Sequence, residues 1–203
     1  MDCDSCLAAF SSLDRVEASE APADYIDRTH PLCFCEAHSV SQYSSGAVSG
    51  EEFLLRVVVV PFHVDRKKNR LKEGAITAAE RSGLSLFRES QVTDKEIRGS
   101  AEEIINKARS KGNEKAAVYG ILRVKCSVFR SFRCDNGLQC YCVYDTALED
   151  KPSHSDAFQT TYGADEENKK KRRRGLLLHL HEWGLIKVEN FRNGLLLDLA
   201  APG

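Results

Sequence analysis

The sequence predicts an α+β protein with a mixed sheet, one main helix and hairpins, a cysteine-rich N-terminal segment and a small C-terminal helix–hairpin unit. Three observations support this class. A continuous β-branched run covers residues 53–60, a capping box begins a helix at Thr93, and further strand-like segments follow that helix. Strands followed by one helix and then by more strands favour α+β over regularly alternating β–α–β units.

The first strand and the main helix have the clearest patterns. Residues 53–60 read Phe-Leu-Leu-Arg-Val-Val-Val-Val, which is typical of a strand buried on both faces. Residues 83–88 alternate like a half-buried strand. Thr93 is a helix N-cap, and Glu96 completes its capping box three residues later. The apolar residues that then share one helical face are Ile97, Ala101, Ile104, Ile105 and Ala108.

The segments after the main helix predict a hairpin and a linker. Residues 128–134 and 139–145 flank Asn136-Gly137, a pair that supplies the positive φ angles of a two-residue turn. Six consecutive basic residues at 169–174 are typical of a flexible, solvated linker. We expect a short helix to follow the linker, and then a second hairpin that turns at Asn193-Gly194.

These boundaries divide the chain into three predicted units. Residues 1–50 form a cysteine- and histidine-containing segment, a possible zinc module in which Asp4 caps a short helix. Residues 51–160 form the α+β main domain, and residues 161–203 form the basic linker with the helix–hairpin unit.

Composition and charge exclude some classes of function. Apolar residues make up 42% of the 203 residues and the net charge is −1, so no global field attracts nucleic acid or an anionic membrane. The longest apolar runs are far shorter than the roughly 20 residues that span a bilayer. The acidic start of the chain does not fit a signal peptide. We therefore expect a cytoplasmic protein without membrane contact, whose eight cysteines are reduced.

The N-terminal cysteines predict a structural zinc site. Cys3 and Cys6 are spaced so that two thiolates can turn towards one metal, and Cys33 and Cys35 form a second close pair. His38 is the first substitute ligand, and His30 another. The alternative is that these thiols are unrelated. The remaining cysteines favour burial as small hydrophobic residues, because the expected hairpin register puts Cys134 on the face opposite Cys140 and Cys142.

A second possible site lies in the main domain. Arg56 interrupts an apolar strand, so it needs a partner or a cleft. His63, Ser85, Arg88 and the pair His154 and Asp156 could join it in a polar site. An arginine on a first strand, a downstream histidine and a serine on another strand resemble ADP-ribosyltransferase-like enzymes. That resemblance implies a site that binds a nicotinamide dinucleotide. The alternative is an arginine in a structural ion pair and surface histidines.

Two further resemblances cover longer stretches. Residues 56–63, 83–88 and 152–156 look like segments of a group of small bacterial proteins of unknown function, a match that covers about residues 53–158 and implies a bacterial source. Residues 172–197 resemble the last helix and wing of winged-helix domains. That second resemblance implies that basic residues at the helix start contact nucleic-acid phosphates. Those residues are Lys169, Lys170, Lys171, Arg172, Arg173 and Arg174.

Two functions are compatible with these patterns. The first is an intracellular zinc-stabilised binding or accessory module that engages nucleic acid or a partner protein. The second is a small transferase or hydrolase with a polar site around Arg56, His63, Ser85 and His154. An enzyme should gather those four residues around one pocket, whereas a binding module should present its charge on one convex face.

Overall fold

The computed structural model describes residues 3–16, 19–183 and 185–187. In chain order, its helices and strands are α1 (Asp4–Ser11), α2 (Leu13–Val16), α3 (Pro22–Thr29), β1 (Phe53–Val60), β2 (Val64–Asp65), β3 (Arg70–Leu71), β4 (Leu84–Arg88), α4 (Asp94–Arg109), β5 (Ala117–Lys125), α5 (Cys126–Ser131), β6 (Tyr141–Tyr144), β7 (His154–Gln159), α6 (Glu166–Trp183) and β8 (Leu185–Lys187).

Six of the strands form one sheet in the order β6-β7-β4-β1-β5-β8, and β2 and β3 pair separately. Every pairing within the described residues is antiparallel. The α+β class is therefore confirmed, although the sheet is antiparallel where a mixed sheet was expected. β1 and β5 are far apart in sequence but adjacent in the sheet. The helix α4, which lies between them in sequence, packs against both strands.

The β-branched run of β1 is buried on both faces because each face meets its own apolar cluster. Leu54 and Val58 pack on one side with core residues of α5 and α6. Val57 and Val59 pack on the other side with the apolar face of α4. A fully buried Val, Leu or Ile side chain contributes about 1.5–3 kcal/mol to folding, so this central strand is a main source of stability.

The predicted capping box of α4 is confirmed. The Glu96 backbone N–H donates to the Thr93 hydroxyl oxygen, and the Glu96 carboxylate accepts from the Thr93 backbone N–H at 2.7 Å. The other Glu96 oxygen accepts from the Ser153 backbone N–H and hydroxyl at 3.2 and 2.8 Å. This one carboxylate therefore stabilises the helix start and also fixes the start of β7.

The hairpin expected over residues 128–145 forms only at its tip. The Asn136-Gly137 turn is present, with Gly137 at φ +79°, but a single bridge joins Arg133 to Gln139. Residues 126–131 are helical (α5) and not a strand. Without a strand to impose alternation, Cys134 and Cys140 approach each other and form a disulfide bond, so their expected placement on opposite faces was wrong.

The basic run is part of α6, so the prediction of a flexible linker was wrong. Asp165 begins the helix by accepting from the Asn168 backbone N–H at 2.7 Å. Leu176 and Leu180 are completely buried in the main core. Gly175 lets the Phe132 ring lie directly against the helix, because a Cβ there would stand 2.5 Å from Phe132 Cζ. Of the predicted second hairpin, only β8 is described, and it pairs with β5; the turn at Asn193-Gly194 lies outside the described residues.

A buried ion network lies at the C-terminal end of β4. Arg88 donates to Glu52 at 2.9 Å and to Asp145 at 2.7 Å, and the Asp145 side chain has no exposed surface. Burial raises the pKa of Asp145, although hydrogen bonds from Ser44 and the charge of Arg88 oppose that shift. Arg88 therefore has a structural partner set and takes no part in a common site with Arg56.

Candidate metal site

Three short elements of the N-terminal segment bring two cysteines and a histidine together. In α1, which begins after Cys3 and not with Asp4 as its cap, Cys6 lies on the buried face with Phe10. α3 ends at Thr29, and its C-cap His30 is followed by Pro31, which stops the helix. A tight turn then runs through Leu32 and Cys33, both with positive φ, into a 3-10 turn over Phe34–Ala37 that carries Cys35.

The ligand atoms of Cys6, His30 and Cys35 all lie within 4.8 Å of one another. Cys6 and Cys35 are fully buried, and His30 is partly exposed. Around zinc, sulfur lies at about 2.3 Å and imidazole nitrogen at about 2.0–2.1 Å, which sets neighbouring ligand atoms roughly 3.5–3.8 Å apart. This group could therefore hold a metal ion if Cys6 and Cys35 are free thiolates.

Three disulfide bonds replace the reduced thiols that the sequence predicted. Cys6 pairs with Cys35, Cys33 with Cys142, and Cys134 with Cys140. The corresponding Cα–Cα distances of 5.6, 5.4 and 5.3 Å lie in the range that a disulfide requires. The fold brings these pairs together in space, and sequence spacing alone does not show this for cysteines 109 residues apart.

The predicted zinc ligands are therefore only partly brought together. Cys6 and Cys35, one cysteine from each predicted pair, meet with His30, whereas Cys3 is not part of this group. Cys33 is bound to Cys142 on β6 and is not part of that group. His38 packs its ring against Phe34 at 5.4 Å, on the same short turn.

The two free cysteines of the described chain differ in reactivity. Hydrogen bonds from the Ser5 hydroxyl and the Cys6 backbone lower the pKa of the Cys3 thiol, which is partly exposed at the start of α1. Burial raises the pKa of Cys126 to about 12. Because the thiolate is the reactive form, Cys3 is the accessible nucleophile and Cys126 is an inert core residue.

The residues considered for an enzyme site fall into two groups. Arg56 is 8% exposed and its Nη1 donates to the Ser85 backbone oxygen at 2.8 Å, which confirms that it is buried with a polar partner. His63 accepts from the Val59 backbone N–H at 3.1 Å. Burial, and then the charge of Arg56, lower the pKa of His63 to about 3, so this histidine is neutral.

His154 belongs to a different group. Its Nδ1 lies 3.1 Å from both the backbone oxygen and the hydroxyl of Thr146, and that hydroxyl donates to Asp156 at 2.8 Å. A cavity of about 610 Å³ is lined by His154, Thr146 and Asp156, but by none of Arg56, His63 and Ser85. The four residues do not surround this cavity together.

Most of the basic side chains of α6 are paired with groups of the same chain. Arg173 contacts Glu73 and Glu80, Arg174 contacts Glu73, and Lys171 contacts Asp135. Arg172 donates to the Thr160 backbone oxygen, and Lys169 approaches Asp24 at 3.7 Å. Much of the positive charge that resembled a phosphate-binding surface is therefore compensated internally.

No family model, no curated protein and no solved structure matches this chain. None of the helices in the described residues combines the length and the apolar composition that crossing a membrane requires. The functional interpretation therefore depends on the geometry of the residues themselves.

Sequence reasoning missed two contributions to these sites. His30 was only a secondary candidate ligand, because it lies outside both cysteine pairs and joins them through the turn that follows α3. Thr146 carried no signal at all, since it lies in the connection between β6 and β7 and meets His154 only when that connection folds back.

Proposed function

We propose that this chain is a zinc-stabilised binding module that acts in a reducing compartment such as the cytoplasm. The observation that carries the proposal is the convergence of Cys6, His30 and Cys35, whose ligand atoms lie within 4.8 Å of one another. A disulfide has no thiolate to offer a metal, so zinc and the Cys6–Cys35 bond exclude each other. Reduction of that bond is the condition for metal binding.

The metal would have a structural role. It would join α1, the end of α3 and the turn over Phe34–Ala37, three elements too short to be stable alone. The same three elements are joined in the structure by the Cys6–Cys35 bond and by packing of Phe10 and Ile26 against β6 and β7. Zinc would thus preserve the fold of the segment when the disulfide is reduced.

A protein partner is better supported than nucleic acid. Leu32 and Phe34 flank Cys33 in the ligand-bearing turn and are 69% and 54% exposed. Exposed apolar side chains on a loop held by a metal or a disulfide are typical of a protein contact. The basic residues of α6 offer less to nucleic acid, because Arg173 and Lys169 are already paired with carboxylates and only part of the run is exposed.

Elemental analysis of protein purified with reductant and without chelator tests this proposal. We expect about one zinc per chain in the wild type, and loss of that zinc in Cys35→Ser and in His30→Gln. Cys134→Ser is the matched control, since it removes one cysteine from another close pair that is not part of the Cys6, His30 and Cys35 group. Absence of zinc from the reduced wild type, or equal zinc in Cys35→Ser and Cys134→Ser, would show the proposal to be wrong.

A further inference from the structure

The cavity of about 610 Å³ beside His154 has the size and the composition of a small-molecule site. It lies between the N-terminal helices and β7. Its apolar wall is formed by Leu7, Phe10 and Leu13 with Val40 and Phe158. Phe10 and Phe158 meet nearly at right angles, with ring centroids 6.1 Å apart, so they present aromatic surface to an occupant.

The opposite end of the cavity carries an ordered polar group. His154 Nδ1 faces the Thr146 backbone oxygen, which can only accept, so Nδ1 carries the hydrogen. In the neutral ring Nε2 is then an acceptor, and it has no hydrogen-bond partner among the described residues. The Thr146 hydroxyl donates to Asp156 Oδ2, and the edge of Phe87 packs on the His154 ring at 6.0 Å. Because the Thr146 hydroxyl lies on the Nδ1 side, it is not placed as a nucleophile that His154 Nε2 could activate.

Gly83 lies against two residues that line the cavity, Asp156 and Phe158. Gly83 has φ +99°, and a Cβ there would lie 2.9 Å from Asp156 Oδ1 and 2.9 Å from Phe158 Cζ. A residue with a side chain would displace both the carboxylate and the aromatic wall. Gly83 thus permits the positions of the polar end and of the aromatic wall at the same time.

The charge and hydrogen-bond pattern indicates the class of ligand. Two of the donors that line the cavity are already used, because the hydroxyls of Ser41 and Tyr43 donate to the Ala147 backbone oxygen and to Glu149. At the His154 end, the acceptors left to a ligand are the Asp156 carboxylate and, in the neutral ring, His154 Nε2. The neighbouring cation, Arg56, is directed to the Ser85 backbone oxygen and does not line the cavity.

We propose that this cavity binds a small aromatic molecule that carries a hydrogen-bond-donating nitrogen, such as an arylalkylamine. The aromatic body would lie against Phe10 and Phe158, and the nitrogen would donate to Asp156 and His154. The proposed metal ligands Cys6, His30 and Cys35 do not line this cavity, so the two sites share no side chain.

Titration of the full chain with tryptamine, followed by NMR chemical-shift changes, tests the proposal. Indole-3-propionate is the matched probe, because it keeps the ring and replaces the amine by a carboxylate. We expect tryptamine to bind with a Kd of about 1 mM or tighter. The acid should bind at least tenfold more weakly, because its charge repels Asp156. If the acid binds as well as the amine, or if neither binds, the proposal is wrong.

Variants separate the cavity from general surface binding. Asp156→Asn should weaken tryptamine binding about tenfold, whereas Glu102→Gln removes an exposed carboxylate of α4 and should leave it unchanged. Ser11→Trp places a large side chain at the exposed rim of the cavity and should block binding without a change in the buried core. If Asp156→Asn does not fold, the Ser11→Trp variant still tests the proposal. Unchanged binding in Ser11→Trp would overturn the assignment of the ligand to this cavity.

Discussion

Arg56 shows how one buried charge is accommodated in an apolar strand. The β1–β4 ladder contains only Leu54↔Arg88 and Leu55↔Phe87, so the two strands are no longer paired beyond Leu55. The guanidinium of Arg56 donates to the Ser85 oxygen on β4, while its Nε is buried without a partner. Burial lowers the pKa of Arg56 to about 10, and Asp156 opposes that shift. This charge is retained at a cost in desolvation, and its repulsion adds to the effect of burial in lowering the pKa of His63.

His63 should make the stability of the protein depend on pH. Its pKa is about 3 in the folded chain and about 6.5 when unfolded, so below pH 6.5 the unfolded chain binds a proton that the folded chain does not. The stability from His63 is present above pH 6.5 and is lost as the pH falls towards 3, by up to about 1.4 kcal/mol per pH unit. Asn at this position can still accept from the Val59 N–H but does not titrate.

Urea unfolding of the wild type and His63→Asn at pH 7, 6, 5 and 4 measures this effect. The variant should lose stability less steeply below pH 6, by about 1 kcal/mol per pH unit. The carboxylates are common to both proteins and cancel in the comparison. Parallel curves for the two proteins would mean that His63 is solvated enough to titrate normally when folded.

The sequence could predict that Arg56 needs a partner, but it could not identify that partner. The partner is a backbone oxygen, and it is available only because β1 and β4 stop pairing at that point. The same limit applies to Asp145, which meets Arg88 across 57 residues of sequence. Side-chain type determines the requirement for a partner, and the long-range course of the strands determines which group fulfils it.

At the scale of elements, local patterns predicted the segments whose structure depends on local forces. β1, β4 and the capped helix α4 follow from β-branched runs and from the Thr93–Glu96 capping box, and all three are present. The second half of α6 was expected as a short helix, but its basic first half was assigned to a linker because six adjacent like charges repel in an isolated segment. In the folded chain, Glu73 and Glu80 compensate that repulsion, and neither is close to α6 in sequence.

The importance of this compensation can be measured on α6. Arg173 is 14% exposed and is the cationic partner of Glu80, whose carboxylate is 9% exposed. Burial raises the pKa of Glu80, and Arg173 opposes the shift. Arg173→Met leaves that carboxylate buried and unpaired, so it should cost about 3 kcal/mol of unfolding free energy at pH 7. Arg174→Met removes an adjacent arginine that is 62% exposed, and it should cost about 1 kcal/mol or less.

Urea unfolding of the two variants at pH 7 makes the comparison. Both substitutions remove one positive charge from the same helix, so general charge effects are equal. The loss in Arg173→Met should also become smaller near pH 5, because a protonated Glu80 no longer needs a cation. Equal losses in the two variants would show that α6 is held by Leu176 and Leu180 and not by its ion pairs.

At the scale of the whole molecule, an apolar cluster and a covalent link both attach the N-terminal segment to the sheet. Phe10 and Ile26 pack in one cluster with Tyr144 and Phe158 of β6 and β7. The Cys33–Cys142 bond joins the ligand-bearing turn to β6 across 109 residues. The segment that carries the metal site therefore also forms a wall of the cavity, and its attachment affects both.

The Cys33–Cys142 bond should be the most stabilising of the three disulfides. Closing a loop of about 110 residues restricts the unfolded chain by about 5 kcal/mol, whereas the loop that Cys134–Cys140 closes corresponds to about 2 kcal/mol. Cys142→Ala should thus lower the unfolding free energy of the oxidised protein by about 2–3 kcal/mol more than Cys134→Ala does.

Urea unfolding in the presence of EDTA, with and without reductant, measures the difference and keeps zinc from contributing. In reductant the two variants should become similar, because neither loop is closed. If their difference persists in reductant, the loss in Cys142→Ala reflects packing against Tyr144 and Phe158, and the link itself contributes little.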